Sequence, residues 1–191
     1  MEAGLLIRWL RVVIALPGTV LFVIPLVLLR LTRGPRWFDV AASHSNPWLW
    51  SDPWLWVAML AGVFGAFWSA WSIAMFMRFG DGTAAPWDPP RRFVVRGPYR
   101  HVRNPMILGV FLMLLCEALV FRSPAIATWM GLFVVGNLAY IRFFEEKGLE
   151  LRFGADYVTY TQHVPRWIPT PRGWPPRGGA DDQARGSERA G

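Results

Sequence analysis

Four apolar runs, at residues 12–29, 53–77, 105–121 and 124–141, restrict this chain more than any other feature. As helices at about 1.5 Å per residue they would reach roughly 27, 37, 25 and 27 Å, against a hydrocarbon core of about 30 Å. The second run is free of charge; the third is short and contains Glu117, which makes it the weakest on hydropathy alone. A chain in lipid must satisfy its own backbone polar groups, which leaves helices or closed barrels. The expected fold is therefore all-α: a polytopic membrane protein with four transmembrane helices, a tight C-terminal helical hairpin and a cytosolic C-terminal segment. Arg8 and Arg11 ahead of the first run fit a secretory leader, but Arg30, Arg33, Pro35 and Arg36 follow at once. The first small-residue site, Ala41-Ala42, lies well beyond them, so a spanning helix fits better than a cleaved leader.

The net charge of +7 comes from arginine, since Lys147 is the sole lysine. Basic chains can bind nucleic acid, but here the arginines flank apolar runs, where orientation in the bilayer explains them better. Six lie between residues 78 and 103 and many follow residue 141, whereas three lie in the loop 30–52 and one at Arg122. The positive-inside rule then places the central loop and both termini in the cytosol. Arginine-rich, lysine-poor composition points to a GC-rich bacterial source, hence a multi-pass protein of the inner membrane. Trp37, Trp48, Trp50, Trp54 and Trp56 crowd one boundary as an interfacial belt. Pro17-Gly18 and Pro25 should kink or unwind the first span. In the second, Ala58, Gly62, Ala66, Ala70 and Ala74 form a small-residue ridge suited to close helix packing. From about Arg172 onward Pro, Gly, Arg and Asp dominate, so residues 1–171 are expected to form one domain and 172–191 a disordered tail.

Only Arg122-Ser123 joins the third and fourth runs, with Pro124 at the next helix start, and so short a link forces an antiparallel hairpin. Folding about that turn pairs Pro105 with Tyr140, Gly109 with Gly136 and Glu117 with Thr128. One further turn brings Glu145 near the depth of Arg100. Two polar blocks about forty residues apart then become spatial neighbours. One block is Gly80-Asp81-Gly82 through Gly97-Pro98-Tyr99-Arg100-His101-Val102-Arg103-Asn104-Pro105 to Gly109; the other is Glu145-Glu146. Singly they are ordinary: a glycine often caps a helix, and Arg142 can pair with either acid along its own helix. Converging at one membrane level, they make a candidate site for a zwitterionic, sugar-bearing cofactor, because arginines hold carboxylates and acids accept from ammonium and hydroxyl groups. Glu117, near the far interface, is expected to pair with Arg122.

These residues, with the Phe153-Gly154…Tyr157…Tyr160…Val164-Pro165-Arg166 tail, resemble the membrane methyltransferase superfamily of isoprenylcysteine carboxyl methyltransferases and phospholipid methyltransferases. The likeness covers roughly residues 54–169. It implies S-adenosylmethionine as cofactor, in a pocket built from the last two spans and the C-terminal segment. It also implies Gly80, Gly82, Tyr99, Arg100, Arg103, Asn104, Pro105, Leu108, Gly109, Asn137, Glu145 and Glu146 as binding residues, with Arg103 and Glu146 nearest to catalysis. Arg100 or Arg103 would take the cofactor carboxylate, and Glu145 or Glu146 its ammonium or ribose hydroxyls. Where carboxyl methyltransferases carry His-Pro-x-Tyr, this chain has Asn104-Pro105-Met106-Ile107, so the isoprenylcysteine substrate does not follow. A lipophilic methyl acceptor of another kind is expected.

Other classes fit less well. The lone Cys116 excludes an intrachain disulfide and a cysteine metal cluster, and no metal is expected. His44, His101 and His163 lie outside the runs, against a haem bound between spans. Neither repeat symmetry nor mid-membrane polar groups point to a transporter. The serious alternative is a non-catalytic small membrane subunit or scaffold of the same fold.

Overall fold

The computed structural model describes residues 14–32, 52–80 and 92–174, and among them it is all-helical, with no strand. A π-helical segment, Ile14–Val23, runs into α1, Ile24–Leu31. Pro17 lies inside the widened segment and Pro25 in the first turn of α1, so the expected unwinding takes the form of a wide turn. Helix α2 spans Pro53–Phe79 and starts on Asp52, whose side chain accepts from the Trp54 N–H. After a 3₁₀ turn, Gly97–Arg100, come α3, Pro105–Val120, and α4, Pro124–Tyr140. A π-helical turn, Ile141–Glu145, joins α4 to α5, Glu146–Phe153, and α6 follows at Ala155–His163.

Two of these helices are long and apolar enough to cross a membrane: Pro53–Phe79, of 27 residues, and the continuous rod Pro124–Phe153, of 30. The apolar stretches Pro17–Leu31 and Pro105–Val120 are shorter. The fourth run thus continues well past residue 141, where its apolar character ends. Of the tryptophan belt, Trp54 and Trp56 are described and exposed; Trp37, Trp48 and Trp50 lie outside the described residues.

The small-residue face of α2 packs on α3, following the expected ridge at Ala58 and Gly62, where a Cβ on Gly62 would lie 2.8 Å from Cys116 Sγ, and departing from it beyond. Ala58, Ala61, Gly65, Ser69 and Ser72 are buried, whereas Ala66, Ala70 and Ala74 are exposed. The choice follows from α3, which offers Gly109. A Cβ there would lie 2.1 Å from Ser69 Oγ and 2.5 Å from the Gly65 carbonyl oxygen, so the backbones meet at this point. Ser69 Oγ donates to the Met106 carbonyl at 3.1 Å beside the contact.

The hairpin forms as its short link demands. Arg122 adopts a positive φ of 45°, and Ser123 caps α4 by accepting from the Ile126 N–H. Phe111 and Phe133 meet edge to face at 5.9 Å, within one residue of the expected register. Arg122 does not pair with Glu117. It reaches Asp52 at the start of α2 and ties the turn to that helix, leaving Glu117 Oε2 buried with no hydrogen-bond partner among the described residues. Leu21, Val110 and Leu114 form the core joining the first helical segment to the hairpin.

Beyond α5 the chain folds back over the same end of the hairpin. Tyr157, Tyr160 and Val164 make a second core with Phe93, Phe153 and Trp174. Packing continues to Trp174, whose N–H donates to the Arg100 carbonyl at 2.9 Å; residues 175–191 of the expected tail lie outside the described residues.

Candidate active site

A cavity of about 470 Å³ opens where α3, α4 and α5 meet the first helical segment. Pro17, Val20, Met106, Ile107, Val110 and Phe133 line an apolar portion. Tyr99, Arg103, Asn104, Asn137, Glu145 and Glu146 supply polar groups to the same wall. The hairpin explains the meeting: Asn104 and Pro105 begin α3, while Asn137 and the acid pair end α4 and begin α5.

Arg103 Nη1 donates to Glu146 Oε1 at 2.8 Å, which joins the two polar blocks directly across 43 residues. Glu146 also receives Arg166, whose Nε reaches Oε1 at 2.8 Å and whose Nη2 reaches Oε2 at 2.6 Å. A carboxylate between two guanidiniums has its charge met on both oxygens. Hydrogen bonding to Glu146 in turn holds Arg166 further above its ordinary pKa. Glu145 lines the cavity and its carboxyl makes no ion pair or hydrogen bond among the described residues.

Three phenols cover this end. Burial pushes the Tyr157 hydroxyl up to about 12, with Glu146 adding to the shift and Arg103 opposing it. Burial also raises Tyr99 and Tyr160, and Tyr160 donates its hydroxyl to the Tyr99 carbonyl at 2.7 Å. All three stay protonated at neutral pH, so none of them offers a phenolate base.

Of the residues expected at the site, the fold gathers Tyr99, Arg103, Asn104, Pro105, Asn137, Glu145 and Glu146 around one cavity. Four others are placed elsewhere. Gly80 caps α2, its N–H on the Phe76 carbonyl at 2.7 Å. Gly109 makes the α2–α3 contact, Leu108 N–H donates to the Asn104 carbonyl in the first turn of α3, and the Arg100 carbonyl anchors Trp174. Gly82 lies outside the described residues. Gly97 earns its place in the first block through backbone geometry, with φ at 55° and Met75 Cγ 2.8 Å from where a Cβ would sit.

The sequence did not single out Arg166 as a site residue. It lies 20 residues beyond Glu146 and two helices away, and no periodicity links the two. Tyr140 and Phe144, stacked at 5.9 Å, also line the cavity while remaining exposed, and so flank its mouth. Their four-residue spacing reads as an ordinary apolar stripe.

The residues present fit the implied cofactor. Glu145 is a carboxylate uncommitted among the described residues, and Arg103 Nε is a buried donor with no hydrogen-bond partner among them. An ammonium and a carboxylate are the groups that would satisfy such a pair.

The profile of the phospholipid methyltransferase family matches residues 54–156, over half of the chain. Methanethiol S-methyltransferase 2 of Bradyrhizobium diazoefficiens is 36% identical over 74 residues, which cover 37% of this chain and 26% of that protein. The match thus spans about a quarter of the relative's length. No solved structure matches the chain.

Proposed function

The chain belongs to the phospholipid methyltransferase family, and from that premise we propose that it is an integral membrane enzyme that methylates a lipophilic acceptor at the cost of S-adenosylmethionine. One observation carries the reading: the Arg103–Glu146 contact draws both polar blocks to a cavity that also has apolar walls. When bound, the cofactor supplies an electrophilic methyl group on a sulfonium. The protein's work is then chiefly to position reactants and exclude water, with no covalent nucleophile required.

Arg103 is assigned to the cofactor carboxylate and Glu145 to its ammonium or ribose hydroxyls. Glu146 holds Arg103 in place, since both of its oxygens already carry guanidinium contacts. Asn104 gives its amide N–H to the Arg166 carbonyl at 3.3 Å, which leaves its amide oxygen as an acceptor at this level. No histidine lines the cavity among the described residues. A base is needed only if the acceptor arrives protonated. Four membrane spans with the cavity's polar end at the cytosolic face complete the proposal, so that acceptor enters sideways from the bilayer and cofactor from water.

Membranes carrying the protein, incubated with methyl-labelled S-adenosylmethionine and extracted into organic solvent, test the proposal. Label should enter the extractable fraction with wild type and not with Glu145→Gln. Equal labelling by wild type, variant and protein-free membranes would refute it.

A further inference from the structure

The segment after α6 returns to the start of α3 and is fixed there from several sides. Arg103 N–H donates to the Pro165 carbonyl at 2.9 Å, and Thr170 N–H to the His101 carbonyl at 3.0 Å. Asn104 Nδ2 reaches the Arg166 carbonyl at 3.3 Å. From this anchored backbone the Arg166 guanidinium takes both oxygens of Glu146, one of which is shared with Arg103. The three side chains are 29%, 12% and 14% exposed for Arg166, Glu146 and Arg103, so this is a largely desolvated unit. Arg103 and Glu146 line the cavity, whereas Arg166 does not.

A carboxylate held at a single oxygen can still swing about its last torsions. A fork contact to both oxygens sets the plane of the group and hence the direction in which the shared oxygen meets a second donor. The Arg166 guanidinium is placed to do this for Glu146, and its hydrogen bonds to the cavity wall all run through that carboxylate, whereas the Arg166 carbonyl holds Asn104 whatever the side chain. We infer that Arg166 is a positioning residue: it fixes the carboxylate that aims Arg103 into the cavity, and so makes a competent cofactor site depend on docking of the C-terminal segment. The inference rests on the assignment of this cavity to S-adenosylmethionine.

The full chain in detergent micelles, titrated calorimetrically with S-adenosylhomocysteine, tests it, with thermal unfolding followed alongside. Arg166→Gln should raise Kd about tenfold, the equivalent of about 1.4 kcal/mol. Arg166→Lys, which restores charge without the fork, should recover part of the loss and leave Kd raised about threefold over wild type. Added to Glu146→Gln, the Arg166→Gln change should alter Kd by less than about twofold, because the route is already cut. A Kd for Arg166→Gln within twofold of wild type would overturn the inference, as would losses that multiply in the double variant. Should Arg166→Gln fail to fold, Arg166→Lys decides: a raised Kd at unchanged melting supports positioning, and an unchanged Kd overturns it. Wild type that does not bind overturns the cofactor assignment and the inference with it; wild type that binds regardless of Arg166 overturns the inference alone.

Discussion

Glu146 neutralises Arg103 and Arg166 together, so replacing it by Gln leaves two poorly hydrated guanidiniums facing each other across a neutral amide. Breaking such a partly buried pair by removing one partner costs about 3 kcal/mol. Glu146→Gln should therefore lower thermal stability and weaken cofactor binding together. Glu145→Gln behaves differently, because its carboxyl carries no ion pair among the described residues. It should leave melting nearly unchanged and weaken S-adenosylhomocysteine binding by about 1.5–3 kcal/mol, the range for a hydrogen bond to a charged group. Unfolding curves and calorimetry on the two variants separate these outcomes, and equal destabilisation by both would reverse the assignment. The sequence narrowed this choice to the pair but not to the residue. Adjacent positions on a regular helix point about 100° apart, which suggests that one acid alone faces inward.

The π-helical turn removes that restriction. Asn137, Ile141 and Glu145 follow a four-residue stripe, and Glu146 falls outside it on an α-helix. In the structure Glu146 N–H donates to the Ile141 carbonyl, an i to i−5 bond that widens the turn by one residue. Both acids then border the cavity. Deleting Phe143, which is 59% exposed, should restore a regular turn, turn one carboxylate away and reduce S-adenosylhomocysteine affinity at least about tenfold. Unchanged affinity would show that the wide turn is incidental. The hairpin, by contrast, was legible because a two-residue link and helix rise leave almost no freedom. The π turn was not, since nothing in Ile141-Arg142-Phe143-Phe144-Glu145 departs from helix-forming residues. The α2 ridge is legible at Ala58 and Gly62 but not beyond them, for a related reason: small residues recur on two adjacent stripes, and the choice between them belongs to Gly109 on the partner helix. Gly109→Val should force α2 and α3 apart and cost about 1–3 kcal/mol in thermal unfolding, as overpacking does. Wild-type melting would mean that the helices can separate without loss.

At the scale of the molecule, polar groups and apolar walls share one cavity whose mouth is flanked by exposed Tyr140 and Phe144. If the acceptor enters from the bilayer, each methylene it buries should favour it by up to about 0.8 kcal/mol until the apolar portion is filled. Methyl-transfer rates for a chain-length series would show this as a rise and a plateau, and equal rates for short, water-soluble acceptors would refute lateral entry. The proposed topology is checked in intact cells after Cys116→Ser. Cysteines at Thr83 and Thr170 should both be shielded from an impermeant reagent while one at Ser45 reacts, and opposite exposure of Thr83 and Thr170 would contradict the shared cytosolic end. Composition and spacing made the helical membrane character and the meeting of the two polar blocks readable in advance. They could not reveal the first helical segment as a cavity wall, because that contact depends on how Leu21 docks against Val110 and Leu114. Everything functional nonetheless depends on one claim, that the cavity binds S-adenosylmethionine. Titrating S-adenosylhomocysteine into purified wild-type protein tests it most directly. The expected result is one site per chain, with affinity lost on Glu145→Gln; no binding by wild type at about 1 mM, the upper end of ordinary substrate affinities, would contradict it.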